Sequence, residues 1–146
     1  MPVRHYTGDI QPSDNTVFVF GSNPEGRHEA GAAKTARLRF GAIYGQGEGL
    51  QGHSYALPTK DLRVKANGGY RSIPPSVIMQ SIRKLYDCAA ANPGMDFCVA
   101  YRNTWKRSLN GYTGYEMMRM FLQAGPIPEN IVISKEWLDS GLFDGK

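Results

Sequence analysis

The sequence predicts an α/β protein built on a mixed, largely parallel sheet with helices on both sides. Three observations carry this expectation. The runs Thr16 to Phe20 and Phe97 to Tyr101 are apolar at nearly every position, as in strands covered on both faces rather than half-solvated ones. Between them lies a segment whose apolar residues recur at helical spacing. Each run also passes directly into a polar, glycine-bearing turn that opens a helix. Strands alternating with helices give such sheets, and their ligands sit beyond the carboxyl ends of the strands.

The individual elements follow in order. Thr16 to Phe20 is the first strand. Asn23-Pro24-Glu25-Gly26 fits a type I turn, with Asn, Pro and Gly at its first, second and fourth positions. A helix is expected from Glu29 to Arg39, where Ala30, Ala32 and Ala33 favour it and Gly31 marks close packing or ligand approach. Ala42 to Gly45 and Ser54 to Leu57 read as short strands around a glycine-rich loop, the second ended by Pro58. Lys60 to Ser72 reads as an exposed connection with a turn at Asn67-Gly68-Gly69. Pro74-Pro75 opens a helix to Ala91, along which Ile78, Ile82, Leu85 and Ala89 share one face. After Phe97 to Tyr101, the Thr-x-x-Glu spacing of Thr113 and Glu116 marks a capping box and a helix to Ala124. A strand, Asn130 to Ile133, and a short helix, Lys135 to Leu138, complete the chain.

With 146 residues the chain is expected to be a single domain, 1–146, large enough to bury a core without staples. Cys88 and Cys98 have no metal-ligand spacing and read as reduced thiols. No apolar segment is long enough to span a bilayer and the N-terminus has no apolar signal core, so a cytoplasmic protein with no membrane partner is expected. The 17 Lys and Arg against 13 Asp and Glu give a formal charge of +4, which mildly favours anionic partners. No metal site and no cofactor are expected, since His5, His28 and His53 are unpaired in sequence.

Candidate chemistry concentrates at the two strand-to-helix transitions. The first, Gly21-Ser22-Asn23 to Ala33, delivers a carboxamide and two potential cations, Arg27 and His28, to the start of a helix, whose free amides and dipole attract anions. The second, Arg102 to Gly114, interleaves Arg102, Lys106 and Arg107 with Trp105 and Tyr112 ahead of another helix start. Two such starts could hold a diphosphate between them, with Tyr112 or Trp105 covering a ribose or base. A basic surface loop with Trp105 packed inward is the plain alternative, and a single-stranded nucleic-acid platform the third. Gly47 to Gly52 spells G-x-G-x-x-G, but a strand follows instead of a helix, which excludes the dinucleotide fingerprint. That loop is either a surface turn or a backbone wall of the cleft. The Gly26-Arg27-His28 sequence lacks the Lys-Ser/Thr of a phosphate loop, which argues against ATP hydrolysis. Lys60-Asp61 reads as a solvated pair or a ligand pair.

The blocks FGSN, GRH, GAA, GAIYGQGEGLQGHSYALPTKD and LNGYTGYEM resemble the macrodomain-like proteins of bacteriophages and bacteria, relatives of the ADP-ribose-binding macrodomains. The resemblance runs from Val17 to about Trp137. It implies a three-layer α/β/α fold and a cleft for ADP-ribose or a related nucleotide, with removal or sequestration of ADP-ribosyl groups as the activity and an ADP-ribosyl hydrolase as the enzyme, if it is one. The residues it points to as ligand-binding are Gly21, Ser22, Asn23, Arg27, His28, Gly31, Ala32, Asn110, Gly111, Tyr112, Thr113 and Gly114. Asn23 and Glu29 are those it points to for positioning or activating water. Two departures stand out. The family's adenine-reading aspartate falls on Thr16, and its hydrolytic acid falls near Ala30 with Glu29 one place off. Arg27 and His28 stand where typical macrodomains keep glycine, and are expected to set any preference of this chain. The resemblance also implies a phage or host-cell setting, in which a non-enzymatic role through a host protein partner is the alternative function.

Overall fold

The computed structural model describes residues 3–143, which form a six-stranded sheet with helices on both faces. The strands are β1 (Arg4–Tyr6), β2 (Thr16–Ser22), β3 (Gly49–Gln51), β4 (Ser54–Pro58), β5 (Asp96–Val99) and β6 (Ile131–Ser134). Their spatial order is β1-β6-β5-β2-β4-β3. Every neighbouring pair is parallel except β3 with β4. The mixed, largely parallel α/β architecture expected from the sequence is therefore present.

Alternation along β2 separates two cores, because successive side chains on a strand point to opposite faces. Val17 and Val19 join Leu57, Phe97, Val99, Ile131 and Ile133 under α2 (Pro75–Ala91), α3 (Gly114–Gln123) and α4 (Lys135–Asp139). Phe18 and Phe20 face the other way with Phe40, Ala33, Ala36 and Ala56, covered by α1 (Gly31–Arg39). Both strand faces are thus buried, which is why β2 reads as a continuous apolar run. Each such side chain withdrawn from water contributes roughly 1.5–3 kcal/mol. On α2 the positions Ile78, Ile82, Leu85 and Ala89 are fully buried, as their spacing required. The capping box of α3 is formed: Thr113 Oγ1 accepts from the Glu116 amide at 3.1 Å and Glu116 Oε1 accepts from the Thr113 amide at 2.9 Å.

Several boundaries differ from the sequence reading. Strand β2 continues to Ser22, because Gly21 and Ser22 pair with Leu57 and Pro58 of β4. Helix α1 begins at Gly31 instead of Glu29, and β5 covers Asp96–Val99, leaving Ala100 and Tyr101 beyond its end. Ala42 to Gly45 is not a strand. The Ala42 amide turns back to Ala36 O (3.1 Å), and the Ile43 amide is taken by the Gln51 side chain (2.7 Å), so the segment has no ladder. The edge strand is instead Gly49–Gln51, paired antiparallel with Ser54–Ala56. Strand β1 was not anticipated, because Arg4-His5-Tyr6 has no apolar pattern and is a strand only by pairing with β6. No helix among the described residues is long and apolar enough to cross a membrane.

Candidate functional site

The carboxyl ends of the parallel strands β2, β4 and β5 open onto a cleft of about 490 Å³, within the roughly 300–1,000 Å³ range of small-molecule sites. One side is the end of β2, Gly21 to Asn23, with Arg27 and the first turn of α1. Thr59, Lys60 and Leu62 after β4, Ala100 to Asn103 after β5, and Ser108 to Asn110 supply the rest.

The turn after β2 is built as its composition required. The Gly26 amide donates to Asn23 O at 2.9 Å, and Gly26 has φ +71°, a conformation that costs glycine little. The Asn23 carboxamide is spent within this turn. Its Oδ1 accepts from the Arg27 amide at 2.8 Å and its Nδ2 donates to Arg27 O at 3.1 Å. Asn23 therefore lines the cleft but primarily shapes its rim.

The loop from Gly45 to Gly52 lies behind this turn and does not line the cleft. The Gly45 amide donates to Gly26 O at 2.8 Å. A Cβ at Gly47 would overlap the carbonyl oxygen of Asn23. The cleft-wall reading does not hold; the loop lies at the surface, with Gly45, Glu48, Leu50 and Gly52 exposed, but its Gly47 and Gln51 are buried. Its inner side braces the Asn23 to Gly26 turn, with Gly47 present because backbone meets backbone there and Gly45 and Gly49 because their φ angles are positive.

His28 belongs to the same brace. It is fully buried, sits edge-on to Phe20 with ring centroids 5.0 Å apart, and bonds through Nε2 to Gln46 O at 3.0 Å. Its Nδ1 has no hydrogen-bond partner among the described residues. His28 thus points away from the ligand space expected of it, into the core beneath α1. Arg27, by contrast, is exposed at the cleft and has no ion pair among the described residues. Glu29 lines the cleft, where its carboxylate accepts from the Tyr44 hydroxyl at 2.7 Å.

The two helix starts differ. At α1 no side chain caps the first turn and no acidic residue stands in it. The first bond runs from the Lys34 amide to Ala30 O at 3.3 Å. The preceding amides of Gly31, Ala32 and Ala33 are those that a helix leaves without internal acceptors, and these residues line the cleft. At α3 the corresponding amides are occupied. Gly114 N donates to Lys106 O (3.2 Å), Tyr115 N to Thr104 O (2.6 Å) and Glu116 N to Thr113 Oγ1. A Cβ at Gly114 would overlap Asn103 O. The expectation that two free helix starts face each other across a diphosphate is therefore corrected: α1 offers its amides, while α3 has used its own to anchor the 104–106 loop.

The remaining predicted residues divide accordingly. Gly21, Ser22, Asn23, Arg27, Glu29, Gly31, Ala32 and Asn110 are brought together on the cleft. Gly111, Tyr112, Thr113, Gly114 and His28 are not among its lining residues. Gly111 packs against Tyr70 and Arg71, and the buried Tyr112 donates its hydroxyl to Ile73 O at 2.7 Å. Trp105 is 74% exposed and stacks on Tyr115 at 5.1 Å, outside the cleft, so it neither covers a ligand there nor packs inward. Arg102 is held by Glu136 (2.9 Å) and Asp9 (3.3 Å). Lys60 reaches the cleft, with its ammonium over the Tyr70 ring at 5.6 Å, while its neighbour Asp61 is bound by Arg63, whose hydrogen bonds hold that carboxyl down to about 2. Lys60 and Asp61 do not act as a pair.

Tyr101, Thr59 and Leu109 were missed. Leu109 is 62% exposed on the cleft and approaches Gly31 from the opposite side. Tyr101 lies just beyond β5, stacked on Trp137 at 5.9 Å, and burial pushes its phenol up to about 12. The only signal for it was its place as the last residue of the apolar run Phe97 to Tyr101. Comparison with known protein families, curated proteins and solved structures finds no match to the chain.

Proposed function

We propose that this protein binds ADP-ribose or a related nucleotide diphosphate in the cleft at the carboxyl ends of β2, β4 and β5. The observation that carries the reading is the uncapped start of α1, whose Gly31, Ala32 and Ala33 line the cleft. Free amides and the positive end of the helix dipole favour an anion there. Arg27 and Lys60 add two cations without ion-pair partners among the described residues. The macrodomain-like blocks of the sequence, and the resulting expectation of a macrodomain-type three-layer fold, point to the same ligand class. Binding is favoured over cleavage. Asn23 spends both its carboxamide atoms on the Arg27 backbone, so it does not position water without releasing a partner, and Glu29 gives Oε1 to the Tyr44 hydroxyl, which leaves only Oε2 for a water. ADP-ribosyl groups would on this reading be sequestered.

Calorimetric titration with ADP-ribose tests it. The expected result is saturable binding that weakens about 3- to 10-fold in Arg27→Ala and in Lys60→Ala and weakens further with added salt. No heat at millimolar ligand would rule the reading out.

A further inference from the structure

A second surface suited to a ligand lies outside the cleft, where the loop Asn103 to Arg107 meets the first turn of α3. Trp105 is 74% exposed, although one of its faces is stacked on Tyr115 with ring centroids 5.1 Å apart and planes 15° from parallel. A tryptophan left in water forgoes the gain of burying its large apolar ring, a gain that a partner covering it would supply. The loop backbone beneath it is tied down. The Tyr115 amide donates to Thr104 O at 2.6 Å, the Gly114 amide donates to Lys106 O at 3.2 Å, and Arg107 pairs with Thr113 in an antiparallel bridge. Trp105 is therefore presented by a fixed loop, with its outer face open to solvent.

The charge around the ring indicates the partner. Lys106, Arg107 and Arg119 are exposed and have no carboxylate partner among the described residues. Arg119 donates to the Tyr115 hydroxyl at 3.1 Å and lies 5.9 Å from that ring's centroid, beside the aromatic pair. Arg102, expected from the sequence to join this group, is instead neutralised by Glu136 and Asp9. A hollow of about 480 Å³ beside Trp105 and Tyr115 is lined also by Glu136 and Asp139, but Glu136 is paired with Arg102 at 2.9 Å and Asp139 with Lys135 at 2.8 Å. The unbalanced charge of the surface is thus positive. An open ring among such cations fits single-stranded nucleic acid, which offers both base faces and phosphates. A duplex keeps its base faces within its own stack, and an acidic peptide would engage the cations but not the ring.

We propose that Trp105, with Tyr115 behind it and Lys106, Arg107 and Arg119 around it, forms a binding surface for single-stranded nucleic acid, a base stacking on Trp105 while the three cations meet phosphates. None of the five residues lines the cleft. The surface is therefore separate from the cleft, and the inference does not depend on the nucleotide reading above.

The test is fluorescence anisotropy of a labelled oligothymidylate of about 12 nucleotides on wild type, Trp105→Ala and the double variant Lys106→Ala/Arg107→Ala, with a thermal melt of each variant to check folding. Wild type should bind with a log–log salt slope of about −2, as for about three neutralised phosphates. Trp105→Ala should weaken binding about 5- to 100-fold, the factor one stacked base contributes. The double variant should flatten the salt slope by about 1 to 1.5. Tryptophan emission should be quenched on binding to wild type, and because Trp137 is fully buried the quenching reports Trp105 without any substitution. A duplex of the same length should bind more weakly, and excess ADP-ribose should not displace the strand. Absence of binding at low salt, absence of quenching, duplex binding as tight as single-strand binding, or full affinity in folded Trp105→Ala would overturn the proposal. Displacement by ADP-ribose would put the strand in the cleft, and tighter binding of polyglutamate than of oligothymidylate would assign the surface to an acidic protein. Either of these results overturns it as well, and leaves the reading of the cleft to its own titration.

Discussion

The hydroxyl of Tyr101 occupies the space in which a side chain at Gly21 would stand. Gly21 lies on β2, paired with Leu57, and cannot retreat without breaking that register. Tyr101 is held in turn by its stack on Trp137. Gly21→Ala should therefore destabilise the fold by about 1–3 kcal/mol through overpacking. Placing it in a Tyr101→Phe background removes the closest atom but not the ring carbon behind it, 3.1 Å from the added methyl. A double-mutant cycle by urea unfolding should give a favourable coupling of about 1 kcal/mol. Strict additivity would mean that the two residues do not compete for this space.

His28 should behave as a core residue. Truncation to Ala removes a ring packed on Phe20 and one of the two hydrogen bonds to Gln46 O, leaving the one donated by Gln51 Nε2. We expect a loss of about 2–4 kcal/mol, read as a lower urea midpoint at unchanged slope. A midpoint equal to that of wild type would contradict the bracing role assigned to it.

Glu116 links acid stability to a defined contact. Burial raises its pKa, but the Thr113 backbone amide and the Arg71 guanidinium, at 2.8 Å, outweigh this and hold it below its ordinary value of 4.5. A carboxyl depressed on folding contributes stability that is fully present above its unfolded pKa and is lost as pH falls through its folded pKa. Glu116→Ala should cost about 0.5–2 kcal/mol at neutral pH through loss of the capping box. The unfolding curves of variant and wild type should converge as pH falls below 4.5. A difference independent of pH would show that the carboxylate charge contributes nothing.

Trp105→Ala separates the cleft from the basic, aromatic loop beside it. Trp105 is exposed and touches Tyr115, while Lys106 and Arg107 face solvent outside the cleft. The variant should keep wild-type affinity for ADP-ribose within 2-fold and lose no more than about 1 kcal/mol of stability, the worth of one aromatic pair. A large loss of affinity would place the ligand against this loop instead.

Much of the scaffold was legible because its signals are local. The capping box at Thr113 and Glu116, the Pro-led α2 with its buried face, and the apolar run of β2 each follow from residues within one element. The cleft was legible in part. Gly21 to Asn23, Arg27, Gly31, Ala32 and Asn110 do converge, because the end of a buried strand and the following helix start must share one side of the sheet. Tyr112 and His28 carry residue types suited to a ligand, yet both are committed to buried contacts that depend on distant partners, Ile73 O and Gln46 O. No local pattern distinguishes a buried histidine from one at a cleft.

From the sequence alone came the α/β class, the strand-to-helix transitions and the existence of α1, because propensity, periodicity and turn chemistry act over a few neighbouring residues. Tertiary structure alone decided which helix start kept its amides free. It turned the Gly45 to Gly52 loop into a brace and set Tyr101 beside Thr59 and Asn110 within the cleft. Those outcomes depend on which backbone groups meet across the fold. Hydrogen bonds such as Tyr115 N to Thr104 O and Gly45 N to Gly26 O form only when separate segments are brought together by the packing of the sheet and its helices.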